Sequence, residues 1–147
     1  MKTMLAGLSL LLLLAAPAAA LPPEAVGQIQ TLKGAAYIVR GASTLPANVG
    51  GPIYSGDTVR TAKTGSVGIV LADDSTLSLG PESEIVLKDY LFNPKEGKFT
   101  FLTRLVKGTF AYLSGVIGKL SPASILLEIP DATIAVRGTR LLVQVEP

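Results

Sequence analysis

The 147-residue chain has no cysteine, no histidine and no tryptophan. Without thiol or imidazole it cannot build a Ser-His-Asp triad, a Cys-His pair, or a thiolate or imidazole metal site. Without cysteine no disulfide staples the fold, and no lipid can be attached to an N-terminal cysteine. The missing tryptophan removes the usual aromatic platform for sugars. Charge is also sparse. Of the 13 basic residues only Lys2 lies in the first twenty positions, so the rest of the chain nearly balances its 11 acidic residues. A near-neutral domain is a poor nucleic-acid or polyanion binder, whatever its formal pI near 9.0.

Long apolar runs are confined to the start. Met1-Lys2-Thr3 gives a short positive beginning and residues 5–16 are almost wholly apolar. Pro17-Ala18-Ala19-Ala20 then places small residues at the −3 and −1 positions of a cut after Ala20. This is the three-part pattern of a secretory signal peptide. The run is short of the roughly 20 apolar residues a membrane span needs, although an uncleaved N-terminal anchor is the alternative. Residues 1–20 are therefore expected to be a signal peptide, and 21–147 a single exported domain, periplasmic or secreted, with no stable membrane anchor after cleavage. A domain of that size buries enough apolar surface to stand without staples.

After the leader, apolar and polar residues alternate at period two, with Gly, Asp, Asn and Pro as punctuation. That is the signature of short half-buried strands. Strands are predicted within 26–40 (broken at Gly34), and over 58–61, 66–72, 76–79, 84–91, 98–102, 105–113, 124–129, 133–136 and 141–145. Residues 41–52 read as a loop, and 115–122 as a loop or a short helical turn. The fold class is all-β, with about ten short strands in a twisted β-sandwich or short solenoid-like arrangement. Ser55-Gly56-Asp57-Thr58, Val106-Lys107-Gly108-Thr109 and Val136-Arg137-Gly138-Thr139 each place a glycine where a bulge or corner is expected.

The residues that remain for chemistry are few. Asp73-Asp74 followed by Ser75 and Thr76 offers a partial oxygen shell for a hard cation, or a hairpin corner. Glu82 and Glu84 lie one pleat apart, as paired acid/base carboxylates or as a solvated strand face. Asp57-Thr58 begins like an aspartic-protease motif, but Val59 stands where glycine belongs. Gly115 to Leu120 resembles a phosphate-loop fragment, with wrong glycine spacing and Leu120 in place of the magnesium-binding hydroxyl. Phe99, Phe101, Phe110 and Tyr112 form either a binding stripe or core. Arg104, Arg137 and Arg140 form either an anion-binding edge or exposed strand positions. No catalytic, cofactor or metal residue is predicted.

Three motifs in order resemble the FecR domain family. Gly56-Asp57-Thr58-Val59-Arg60-Thr61 and Ser66 to Leu79 are similar to its Gly-Asp corner, apolar strand, Asp-Gly-Ser turn and second apolar strand. Leu105-Val106-Lys107-Gly108-Thr109-Phe110 resembles the middle strand. Ile129 to Thr139 resembles the closing stretch that runs into Arg-Gly-Thr. The likeness spans residues 26–145. Asp74 replaces the usual turn glycine, and aspartate tolerates positive φ better than most residues. The resemblance implies a structural role at the turns for Gly56, Asp57, Asp73, Asp74, Ser75, Gly108, Arg137, Gly138 and Thr139. The founding member is a transmembrane regulator whose cytosolic segment controls a sigma factor and whose periplasmic part senses an outer-membrane iron-siderophore transporter. Here a signal peptide stands where that cytosolic segment and membrane helix belong, and the sequence stops soon after the Arg-Gly-Thr strand. A stand-alone, non-enzymatic envelope interaction or sensing module is expected, with an envelope protein as partner. The edge of 133–145, with Arg137 and Arg140, is the expected contact. Small-anion or glycan binding and self-assembly are the alternatives.

Overall fold

Strand alternation and glycine punctuation organise the whole chain. The computed structural model describes residues 24–146, so the expected leader lies outside the described residues. The strands are β1 (Gly27–Lys33), β2 (Ala36–Arg40), β3 (Ser43–Pro46), β4 (Pro52–Ile53), β5 (Thr58–Thr61), β6 (Ser66–Leu71), β7 (Thr76–Leu79), β8 (Glu84–Asn93) and β9 (Lys98–Leu113). A short helix, α1 (Val116–Leu120), and a 3-10 turn at Pro122–Ser124 lead into β10 (Ile125–Ile129), β11 (Ala132–Ala135) and β12 (Arg140–Val145). The protein is all-β. Its strands form one curled, mostly antiparallel sheet that wraps as a half-barrel.

The strand order is β3-β2-β5-β8-β9-β7-β6-β1-β4, and β9 also carries β10 and β12. β9 is the spine. Its first part pairs with β8 and, in parallel, with β10; its last part pairs with β7 and β12. The change of partners falls at Gly108, whose φ of 91° is open to glycine and strained for other residues. One long strand thus serves both halves of the sheet. The prediction of two strands here, 98–102 and 105–113, is corrected: Thr103, between them, is buried and paired with both Leu87 and Leu127.

The predicted loop 41–52 is corrected too. It holds β3, joined to β2 by a two-residue turn at Gly41-Ala42, and Pro52 opens β4. Proline is tolerated there because β4 is a sheet edge, where no ladder donor is required.

The core is the inward set of this alternation. Val67, Ile69 and Leu71 of β6, Leu77 and Leu79 of β7, and Ile85 and Leu87 of β8 are all buried. Each such side chain contributes about 1.5–3 kcal/mol of burial. Phe101 sits between Tyr90 and Tyr112, edge-on to each at 5.4 Å between ring centres. A register shift between Leu87 and Asp89 changes the parity of β8. Lys88 and Asp89 both face solvent as a result, and Tyr90 turns into the core.

Candidate interaction edge and the motif corners

The Gly-Asp corner before β5 is an ion-paired knot. Asp57 is buried, and the Arg40 guanidinium grips it with two hydrogen bonds, Nε to Oδ1 at 3.0 Å and Nη2 to Oδ2 at 2.8 Å. The Tyr54 backbone N–H donates to Oδ2 at 2.9 Å. Arg40 lies 4.4 Å from the centre of the Tyr54 ring, a cation–π contact. The carboxylate holds the guanidinium pKa above its ordinary value. Asp57 therefore joins β2 to the β4–β5 corner, and neither carboxylate oxygen is left for a substrate.

The corner between β6 and β7 is built round Asp73. Leu71 N–H donates to Ser75 C=O, closing a three-residue loop, and Asp74 takes φ 65° at its third position. This loop type requires a left-handed residue there, and aspartate is among the few non-glycine residues that take it. The Asp73 side chain points inward and is fully buried. Its Oδ1 accepts the Ser75 hydroxyl at 2.6 Å and the Tyr90 hydroxyl at 2.8 Å, and Oδ2 accepts the Ile117 N–H at 3.1 Å. The Asp73 carbonyl accepts the Val116 N–H at 2.8 Å. One carboxylate thus locks a hairpin, β8 and the start of α1 together. Burial, and next the hydrogen bond to Asp73, push the Tyr90 pKa well above the ordinary tyrosine value. Of the two readings of Asp73-Asp74 the hard-cation one fails, because both Asp73 oxygens are spent on protein donors in the interior while Asp74 faces solvent. Among the described residues no group of three acidic side chains is placed to hold a metal ion.

The Gly108 corner is filled by Ser83. Its hydroxyl donates to Pro81 C=O and accepts the Thr109 N–H at 2.9 Å. A Cβ on Gly108 would collide with the Ser83 side chain and backbone. The Thr61 hydroxyl completes the cluster, donating to Gly80 C=O at 2.7 Å and accepting the Ser83 N–H at 2.8 Å. Glu82 and Glu84 are parted by this turn. Glu82 has φ 49° and faces solvent, while Glu84 accepts Arg60 at 2.9 Å, so the paired-carboxylate reading fails. The phosphate-loop reading fails as well, because Gly115 packs against the Asp73–Ser75 backbone with no room for a ligand. Phe101, Phe110 and Tyr112 are core, and Phe99 packs against its margin.

The last corner differs. Arg137, Gly138, Thr139 and Arg140 are all exposed, and Gly138 takes φ 118° in open space. This corner carries the chain from β11, on one half of the sheet, to β12 on the other. Arg104 and Arg140 are held apart on opposite sides of the Gly108 bend, paired with Val86 and Leu113 respectively, so they form no common anion edge.

β11 pairs only with β10, and β12 only with β9, among the described residues. Thr139 C=O accepts the Ser114 N–H, and Val136 N–H donates to Ile125 C=O. Antiparallel ladders alternate, so these two bonds fix the rest. The backbone groups of Arg140, Leu142 and Gln144 point away from β9, and those of Thr133 and Ala135 away from β10. Both C-terminal strands therefore present unpaired edges. Among the described residues Leu142, at 70% exposure, is the most exposed of the large apolar side chains.

In this half-barrel the signature residues close corners, and β11 and β12 each pair with one strand among the described residues. The chain belongs to the FecR family: the family model described as FecR protein matches residues 57–147. That family is a regulatory or sensing domain linked to iron-transport signalling. The match begins at the Gly-Asp corner, later than the span of 26–145 carried by the motifs. β1 and β2 precede it in sequence yet pair with β6 and β5 inside it. No curated protein and no solved structure matches the chain.

Proposed function

We propose that this chain is a non-enzymatic interaction or sensing module of the cell envelope, delivered to the periplasm or beyond by the leader at 1–20. The observation that carries the reading is the pair of unpaired strand edges at β11 and β12, beside the exposed Arg137 and Arg140. An edge of this kind accepts an extended segment of a partner by strand addition. The family's link to iron-transport signalling makes an outer-membrane transporter or a membrane regulator the partner to test first. The buried, hydrogen-bonded state of Asp57 and Asp73 supports the non-enzymatic reading, since the two most promising carboxylates are structural.

The test is crosslinking in cells from a photoreactive residue at Thr133 or Ala135 on β11, with Lys63 as the control position. One stoichiometric envelope protein, captured from the edge positions and not from the control, is the expected result. Equal capture from all three positions contradicts the edge assignment.

A second reading is favoured by one feature. Arg140 lines a shallow hollow of about 200 Å³ with Thr76, Ser78 and Leu113, a cation beside two hydroxyls. A small anion or the hydroxyls of a glycan fit that chemistry. A rise in melting temperature with such ligands, lost in Arg140→Ala, would favour it.

A further inference from the structure

We propose that the outer edge of β12 is completed by β12 of a second copy of this chain, paired antiparallel with Val143 on the two-fold axis. The proposal rests on the reading of the domain as an interaction module and names one occupant for one of its two edges; β11, on the other half of the sheet, stays open for a different partner.

Natural edge strands are protected by charge, proline, bulges or shortness. β12 has few of these defences. Leu141 to Val145 carries no charge, glycine or proline, and its register with β9 runs unbroken from Arg140↔Leu113 to Val145↔Gly108. Leu141, Val143 and Val145 pack on the margin of the core and remain half-exposed. Apolar side chains on that margin gain burial if the sheet continues.

The register follows from parity. Opposed residues in an antiparallel pair share a face, and a two-fold axis makes the pairing symmetric. Two registers give near-complete overlap. One sets Leu142 against itself and Arg140 against Gln144. The other sets Val143 against itself, Leu141 against Val145, Leu142 against Gln144, and Arg140 against Glu146. In both, the outward backbone groups of Arg140, Leu142 and Gln144 meet their counterparts. The second register also joins the apolar side chains of the inner face across the axis and places each exposed Arg140 opposite an exposed Glu146. Charge complementarity selects it.

The absence of cysteine makes the test clean. In protein purified after expression from the full-length gene, any disulfide-linked dimer of a single-cysteine variant reports contact between copies. Cα atoms opposed across a non-hydrogen-bonded antiparallel pair are within disulfide reach, so Val143→Cys is expected to dimerise about tenfold faster than Leu142→Cys or a Thr44→Cys control on β3. Unmodified protein is expected to sediment at twice the protomer mass at high concentration, and Leu142→Lys, altered only at an exposed position, as a monomer. A monomer at every concentration overturns the proposal, as does crosslinking at Thr44→Cys equal to that at Val143→Cys. Faster crosslinking at Leu142→Cys overturns the register. A monomer that still captures an envelope partner through Thr133 overturns the dimer and leaves the interaction-module reading standing; a dimer that captures none does the reverse.

Discussion

Tyr90 and Asp73 hold each other twice: the Tyr90 hydroxyl donates to Asp73 Oδ1 at 2.8 Å and accepts the Asp73 backbone N–H at 3.0 Å. Seventeen positions apart, they tie the β6–β7 corner to β8. Asp73→Asn puts an amide N–H₂ where only acceptors fit, and is expected to cost about 2–3 kcal/mol in urea unfolding. Asp74→Asn, one residue on and exposed, is expected to cost under about 0.5 kcal/mol, because asparagine also tolerates its backbone conformation. Equal costs would show that the corner is held by its backbone and not by the carboxylate.

The same pair makes stability fall in alkali. Burial raises the Tyr90 pKa above the value near 10 that an unfolded tyrosine has, so the fold favours the protonated phenol. That contribution is fully present below about pH 10 and drains away as the pH rises beyond it. The urea midpoint is expected to be level between about pH 7 and 9 and to decline above 10. Tyr90→Phe, less stable at neutral pH, should decline less steeply in that range; parallel curves would remove Tyr90 as the cause.

Two corners share a backbone conformation and differ in surroundings. Gly56 and Gly108 have φ 92° and 91°, but a Cβ meets nothing at Gly56 and strikes Ser83 at Gly108. Gly56→Ala is expected to cost about 1 kcal/mol from strain alone, and Gly108→Ala about 3 kcal/mol or more. Thermal unfolding of the two variants checks the ranking.

Arg40 and Arg60 each pair with one acid, and burial decides their worth. Arg40→Met leaves the buried Asp57 carboxylate without its counter-charge, an expected loss of about 2–3 kcal/mol. Arg60→Met breaks a pair in which the arginine is half-exposed, an expected loss of under about 1 kcal/mol. Similar losses would mean that Asp57 finds water or another donor when Arg40 is gone.

Strand alternation was legible wherever one face is buried without interruption, as in β6, β7 and the first half of β8. It failed where geometry departs from period two. The register shift after Leu87 hides Tyr90 from any alternating pattern, so the principal partner of Asp73 was not foreseen. The predicted strands 98–102 and 105–113 part at Thr103 and Arg104, whereas Thr103 is buried between two strands of one continuous β9. Asp57 and Asp73 were found as turn residues, since Gly-Asp and Asp-Asp-Ser are turn chemistry. Their partners, the half-buried Arg40 and the buried Ile117, lie far away in sequence, and no local signal announces such pairs. The 133–145 segment was picked out by its Arg-Gly-Thr motif; that both its strands are sheet edges is a property of the pairing order and not of the residues.

The claim that matters most is that β11 and β12 are where partners join. Amide hydrogen exchange of the purified protein, alone and bound to the envelope protein captured by crosslinking, tests it directly. The account predicts that the envelope protein slows exchange at the outward N–H groups of Thr133 and Ala135 on β11, that Leu142 and Gln144 on β12 exchange slowly already in the concentrated protein alone, and that the buried β6 and β7 amides are unchanged. Protection by the envelope protein confined to other surfaces, with Thr133 and Ala135 exchanging as fast as in the free protein, would contradict it.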